Sequence, residues 1–171
     1  GGLLRSQPGT NSISGITLNG PSIIEPNSTV VVDAEGMVNN GVMQINPVGS
    51  ASNSVVTFSE TASLAGTGEF QLRSEGSDDS QVNTAVGAIL THASTHLIRG
   101  QVNAALINNG EVRADSSVSV SGGTLTVQTN NQVNNALMVA APSSTLRFIG
   151  VDVDQTGGGM LVADSGLISL L

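Results

Sequence analysis

Short runs of alternating apolar and polar residues, almost no helical periodicity, and an Asn-Asn-Gly motif recurring at steps of about 23 residues predict an all-β chain. The expected form is a right-handed parallel β-helix (β-solenoid) of about seven coils, each roughly 23 residues long. The alternation is plain in Glu111-Val112-Arg113-Ala114, Ser117-Val118-Ser119-Val120 and Thr124-Leu125-Thr126-Val127-Gln128. It continues in Thr145-Leu146-Arg147-Phe148, Val151-Asp152-Val153-Asp154 and Ile168-Ser169-Leu170. Upstream, Thr29-Val30-Val31-Val32-Asp33 and Glu69-Phe70-Gln71-Leu72-Arg73 fit the same pattern. Successive side chains of a strand point to opposite faces, so each run has one buried and one wet face. Val112, Val118, Val120, Leu125, Val127, Leu146, Phe148, Val153 and Leu170 are expected inside; Arg113, Thr126, Arg147 and Asp152 are expected outside.

The repeat is read from the corners. Asn39-Asn40-Gly41, Asn108-Asn109-Gly110 and Asn134-Asn135-Ala136 correspond, and Gly157-Gly158-Gly159 takes the equivalent place near the end. Gly110, Ala136 and Gly159 follow one another at steps of roughly 23–26 residues, and Gly41 to Gly110 spans three such steps. Three short strands with three turns need roughly 20–25 residues, which is one coil of a right-handed β-helix. The paired asparagines have two readings. Asn-Gly is a turn former that tolerates left-handed backbone; Asn side chains stacked coil on coil can also hydrogen-bond as an amide ladder. Residues 74–93, opening with the polar run Glu75-Gly76-Ser77-Asp78-Asp79-Ser80, read as a projecting loop on a single domain spanning 1–171.

Composition narrows the function classes. Aromatic residues make up 2% of the chain, with three Phe and no Trp or Tyr, although 39% is hydrophobic. A core of Val, Leu, Ile and Ala suits a thin cylinder. The chain has no Lys, and five Arg stand against 13 acids for a net charge of −8. Such a surface repels nucleic acid and anionic lipid. No run approaches the roughly 18 apolar residues of a membrane-spanning helix, so neither nucleic acid nor membrane insertion is expected. Cys is absent, which removes disulfides and thiolate metal sites. The opening Gly1-Gly2-Leu3-Leu4 carries no Met and no signal peptide, and is read as that of a processed product or part of a longer protein.

The stretch from Thr95 to Leu171 carries a family resemblance. Thr95-His96-Leu97-Ile98-Arg99-Gly100-Gln101, Leu106-Ile107-Asn108-Asn109-Gly110-Glu111-Val112-Arg113-Ala114 and Gly122-Gly123-Thr124-Leu125-Thr126-Val127 resemble the repeats of large exported bacterial β-helix proteins. These are the autotransporter-passenger and filamentous-haemagglutinin-like adhesins. In the first half the resemblance rests on Leu64-Ala65-Gly66-Thr67-Gly68 and Asn39-Asn40-Gly41. It implies export to the cell surface or beyond, and an adhesive, filamentous or stalk role. These are fold motifs and report no activity.

Candidates for chemistry are few. β-Helix lyases use clustered carboxylates with Ca²⁺ and a basic residue, and here the arginines are scattered. Asp152 and Asp154 share a strand face at a spacing a glycosidase could use, but no Trp or Tyr stands by to stack on a sugar. His92 and His96 are four apart, which on a helix would suit zinc. In an extended strand they would lie about 13 Å apart, so the expected reading is one exposed histidine and one in a turn. Glu75, Asp78 and Asp79 are the weak Ca²⁺ candidates, against the ordinary reading of a solvated acidic loop. Gly157-Gly158-Gly159 lacks the Asp that a glycine-rich calcium repeat needs, and reads as a tight corner. No Gly-x-Ser-x-Gly elbow is present, and Thr124 and Thr126 lack the neighbours an ice-binding threonine array requires.

No enzyme, cofactor or catalytic residue is therefore expected. The expectation is an extracellular structural or adhesive rod of a bacterial surface or secreted protein, stacked end to end on other copies of itself or on flanking β-helix segments. A ligand- or carbohydrate-binding module of an adhesin or phage fibre is the alternative.

Overall fold

The computed structural model describes residues 3–48, 51–73, 80–118, 123–128 and 131–171. Among them there is no helix, and 23 short strands follow one another in a three-beat order. The first beats are β1 (Leu4–Arg5), β2 (Gly9–Ile13) and β3 (Ile16–Leu18), then β4 (Ser22–Ile24), β5 (Ser28–Val32) and β6 (Met37–Asn39). Next come β7 (Val42–Ile45), β8 (Ser54–Phe58) and β9 (Ala62–Ala65), then β10 (Glu69–Leu72), β11 (Ser80–Thr84) and β12 (Leu90–His92). The shortest set is β13 (Leu97–Arg99), β14 (Val102–Asn103) and β15 (Leu106–Asn108). It is followed by β16 (Glu111–Ala114), β17 (Thr124–Gln128) and β18 (Gln132–Asn134), and by β19 (Leu137–Ala140), β20 (Thr145–Ile149) and β21 (Val153–Asp154). The series closes with β22 (Met160–Ala163) and β23 (Leu167–Leu170).

Every pairing is parallel and joins strands three places apart. One sheet runs β1-β4-β7-β10-β13-β16-β19-β22 and a second runs β3-β6-β9-β12-β15-β18-β21. The third side is made of β2-β5-β8-β11-β14 and of β17-β20-β23. These long parallel sheets with no helical crossover have the strand order of a β-solenoid.

The winding is uneven. Along the first sheet Val42 pairs with Glu69, Glu69 with Leu97 and Leu97 with Glu111. The first two of these steps are nearly equal, and the third is only half as long. The spacing from Gly41 to Gly110 thus covers three unequal turns. Extra length enters mostly between the first and third sides, as at 46–53 and 73–79. The corner joining β15 to β16 keeps two residues, Asn109 and Gly110. Backbones stack closely along this line of corners. A Cβ on Gly41 would run into the Gly20 carbonyl, and one on Gly68 into the Gly41 carbonyl. Glycine is there for close approach.

The projecting loop expected at 74–93 is replaced over much of its length by structure. Residues 80–84 form β11, paired along its length with β8, and 90–92 form β12, paired with β9 and β15. Their polar outer faces hid two strands, because only alternate side chains turn inward. The weak Ca²⁺ candidates Glu75, Asp78 and Asp79 lie outside the described residues.

The core is a single apolar column. All three phenylalanines, Phe58, Phe70 and Phe148, are buried in it with Ile24, Met43, Leu64, Leu90, Ile98 and Val112. Of the residues expected inside, Val112, Val118, Leu125, Val127, Leu146 and Phe148 are buried, and Val120 lies outside the described residues. Val153 is half-buried against the core. Leu170 departs from expectation at 69% exposed. It pairs with Phe148 and shares its face, but β23 has a partner strand on one side alone. Thr126, expected outside, is buried: this short side chain stands level with Arg147 of the next strand, and a long neighbour leaves it little exposed area.

A second column lines the start of the third side. Ser28, Ser54 and Ser80 are buried, and their hydroxyls donate to the carbonyls of Gln7, Glu25 and Arg73. Each ties its strand to a carbonyl at a corner leading into the third side.

Two substitutions test this packing. Leu146→Ala empties part of a fully buried site and should cost about 2–5 kcal/mol in chemical denaturation. Gly68→Val forces a side chain onto the backbone of the preceding turn and should cost about 1–3 kcal/mol or more; an unchanged unfolding midpoint would contradict the close stacking.

Candidate functional site

The tight corner after β6, β9, β12, β15 and β18 concentrates the buried polar chemistry of the chain. Asn39, His92, His96, Asn108 and Asn134 are each at most 1% exposed there. Sheet register stacks three of them: His92 pairs with Asn108, and Asn108 with Asn134. Asn108 Nδ2 donates to Asn134 Oδ1 at 2.9 Å and to the Leu137 carbonyl at 3.2 Å. Asn134 Nδ2 donates onward to the Met160 carbonyl at 3.2 Å. The amide ladder therefore holds for Asn108 and Asn134, and the pairs do stand at the corner, but without the left-handed backbone expected of them: the positive-φ asparagines among the described residues are Asn27 and Asn46.

A second ladder runs along the outside. Asn40 Nδ2 donates to Asn19 Oδ1 at 2.7 Å, and Asn135 Nδ2 to Asn109 Oδ1 at 3.0 Å. In each Asn-Asn pair the first amide serves the interior and the second the surface.

The histidines overturn the expectation placed on them. Neither is exposed, and they are far closer than a straight strand would set them: His92 Nε2 lies 3.1 Å from His96 Nδ1. The straight-strand estimate failed because His92 ends β12 and the chain bends through Ala93-Ser94-Thr95, where the His96 N–H meets the Ala93 carbonyl at 3.2 Å. That bend brings the two rings edge to face, with centroids 5.2 Å apart. His92 Nδ1 lies 2.8 Å from Asn108 Oδ1. His96 Nε2 lies 3.1 Å from Asn39 Nδ2, passing over the turn whose corner is Gly66-Thr67-Gly68. Glycine at 110 leaves room for the His92 ring, and the His96 ring packs edge to face on Phe70. Burial pushes His96 down to about 3, helped by repulsion from His92. Burial also pulls His92 below its usual value, against hydrogen bonds that favour its charged form. The sequence signal that could have found the pair was the register: His92 falls in line with Asn108 and Asn134.

The face-to-face nitrogens leave no space for an ion between them, and among the described residues no group of three metal-ligating side chains converges. Asp152 and Asp154 are both exposed. Asp154 is held below the usual carboxylate range by the backbone N–H of Thr156. Gly157-Gly158-Gly159 does form a corner, where a Cβ on Gly159 would run into the Asn134 carbonyl. Thr124 and Thr126 stand beside Thr145 and Arg147, then Leu167 and Ser169, which is no threonine array.

Outside the same corner lies a shallow groove of about 300 Å³ lined by Asn40, Val42, Thr67, Glu69, Thr95 and Leu97. Glu69 is tied to Gln71 and lies 3.6 Å from Arg99. Arg99 also binds Asp115 at 2.7 Å. Partial burial pushes Asp115 up, but hydrogen bonds from Ser117 and Arg99 outweigh it and hold the carboxyl low. A further hollow of about 240 Å³ opens beside β23, lined by Phe148, Val151, Leu161 and Leu170 together with the polar Asp152 and Gln155. No family model matches the chain, and neither a curated protein nor a solved structure matches it.

Paired substitutions separate the two ladders. Asn108→Ala strands buried partners on His92, Asn134 and Gly110 and should cost about 2–4 kcal/mol. Asn135→Ala removes a half-exposed bond and should cost under about 1 kcal/mol in the same urea titration. Equal losses would contradict the assignment of the inner amides to the interior.

Proposed function

We propose that the chain is a right-handed parallel β-helix of about seven coils that serves as a structural or adhesive rod of a bacterial surface or secreted protein, extended by axial stacking of further coils. The observation that carries this reading is the unfinished face beside β23. Leu167, Leu170 and Leu171 are 59%, 69% and 66% exposed there, and Ile168 and Leu161 are only half-covered. The same face presents one unpaired edge of β23. An open parallel edge with apolar side chains is a template for another strand. The matching residues at the opposite face, Leu4, Ile13 and Ile16, are likewise only partly covered. Such a contact joins unlike faces and so propagates along an axis.

Right-handedness is supported by the strong preference for right-handed crossovers between parallel strands. The extracellular bacterial setting rests on the resemblance of the Asn-Asn-Gly and Gly-Gly-Thr-Leu repeats to exported adhesins. The partner of each face is another coil, in a second copy or in a flanking segment.

The groove lined by Asn40, Thr67 and Thr95 favours a second reading, a carbohydrate-binding module, since amide and hydroxyl groups face outward there. Titration with a glycan library distinguishes it; saturable binding lost in Thr67→Ala would favour the module over the rod.

Light scattering and negative-stain electron microscopy of the purified chain test the stacking. Association that rises with concentration, and rods that lengthen, are expected. Leu167→Asp with Leu170→Asp should weaken self-association at least about tenfold, since two charges would have to be buried at the contact. A wild-type chain that stays monomeric at every concentration, with no longer rods in the micrographs, would overturn stacking between copies.

A further inference from the structure

We propose that the buried His92–His96 pair is an acid-sensitive latch that holds the middle of the stack together only while both rings are neutral. The hydrogen-bond geometry fixes the protonation state from both ends. At one end, Asn108 Nδ2 faces two acceptors, Asn134 Oδ1 and the Leu137 carbonyl. Its Oδ1 therefore faces His92 Nδ1, and it also accepts from the Gly110 N–H. An acceptor there requires a hydrogen on His92 Nδ1. Neutral His92 then has its lone pair on Nε2, and that lone pair requires a hydrogen on His96 Nδ1. The lone pair of His96 is left on Nε2, facing Asn39.

At the other end, Asn39 Nδ2 faces the Gly41 and Glu69 carbonyls at 3.0 and 3.3 Å. Turning that amide over would set its oxygen against both. Asn39 Nδ2 therefore shares its two hydrogens among three acceptors, the two carbonyls and His96 Nε2, and as a donor-only group it independently demands a lone pair on that ring nitrogen. The two ends agree on a single directional chain: Asn39 to His96 to His92 to Asn108 to Asn134. Both histidines carry their hydrogen on Nδ1.

No place remains for another proton. On His92 Nε2 it would meet the His96 Nδ1–H, and on His96 Nε2 it would meet the Asn39 amide hydrogens. Charged side chains on the surrounding strands offer no compensation. Glu69 of β10, Arg99 of β13, and Glu111 and Arg113 of β16 alternate with buried Phe70, Ile98 and Val112 and so lie on the outer face. Asp115 is engaged by Arg99. Strands β6, β7, β9, β15, β18 and β19 carry no titratable side chain.

The latch spans β6 to β18 and includes the shortest winding, the step from Leu97 to Glu111. Both folded values lie below the unfolded value of 6.5, that of His96 at about 3. The unfolded chain therefore binds more protons between those limits. Stability is complete above about pH 6.5 and falls as the pH drops from there towards 3.

Long-range proton–nitrogen spectra of the imidazoles test the latch in the intact chain. Both rings should show the Nδ1–H tautomer, the less common one for free imidazole, with no titration near pH 6.5. An Nε2–H tautomer, or a ring titrating near that pH while the amide spectrum is unchanged, would overturn the proposal. In urea titrations the folding constant should fall about ten- to hundred-fold from pH 6 to pH 5, above the range where carboxylates titrate. The double variant His92→Asn with His96→Phe removes every histidine, puts Asn in line with Asn108, and should abolish that fall. The same fall persisting in the variant would overturn the latch; if the variant does not fold, the wild-type spectra decide alone.

Discussion

Parallel pairing of strands three places apart, broken among the described residues between β14 and β17, governs everything else in this chain. It sets one turn of backbone directly on the next at the strand spacing of about 4.8 Å. Each side chain then has the equivalent residue of the neighbouring turn as its main contact. An apolar position needs an apolar neighbour above and below. A polar inward position must find its hydrogen bonds along the axis, because water cannot reach it. This is why Asn stacks on Asn, why His92 lies in line with them, and why glycine recurs where two backbones touch.

The same constraint divides the chain into strict and tolerant parts. The corner between β15 and β16, from the second sheet to the first, holds two residues, while the connection from the first sheet to the third side before β11 holds seven. Added length in a surface connection costs little entropy per residue. The arginines follow a related logic. Arg99 is paired with Glu69 of the neighbouring strand and with Asp115, and Arg113 with Glu111 of its own strand, which orders the outer face but adds little stability at partly exposed sites. Burial of the apolar column and satisfaction of its polar ladders supply the larger share.

Much of this was legible in the sequence. Leu125 and Val127, or Leu146 and Phe148, announce a buried face by alternation alone, and both pairs are buried. The Asn-Asn-Gly corners and their spacing gave the mean turn. The unequal lengths of the individual turns were not legible, because Gly66-Thr67-Gly68 and Ala93-Ser94-Thr95-His96 replace the motif with other residues. Strands β11 and β12 were missed since Ser80-Gln81-Val82-Asn83-Thr84 looks like loop until its parallel partner β8 is known. The histidine pair was missed for a different reason: a distance along one strand says nothing once the chain bends between the two residues. Nor could the sequence tell that the inner amides form a hydrogen-bonded ladder, since turn and ladder demand the same residue.

The absence of cysteine makes the stacking directly measurable. Asn109 and Asn135 are 26 positions apart, yet their side chains meet at 3.0 Å. Neighbouring parallel strands lie within the Cα separation of about 4.4–6.8 Å that a disulfide bridges. N109C with N135C should close an intramolecular disulfide under mild oxidation, seen as a faster-migrating monomer band and a single linked peptide after digestion. N40C with N109C, separated by three turns and so by roughly 14 Å, should not. Efficient closure of the first pair alone is the result this account predicts; failure of the first pair, or equal closure of both, would contradict it.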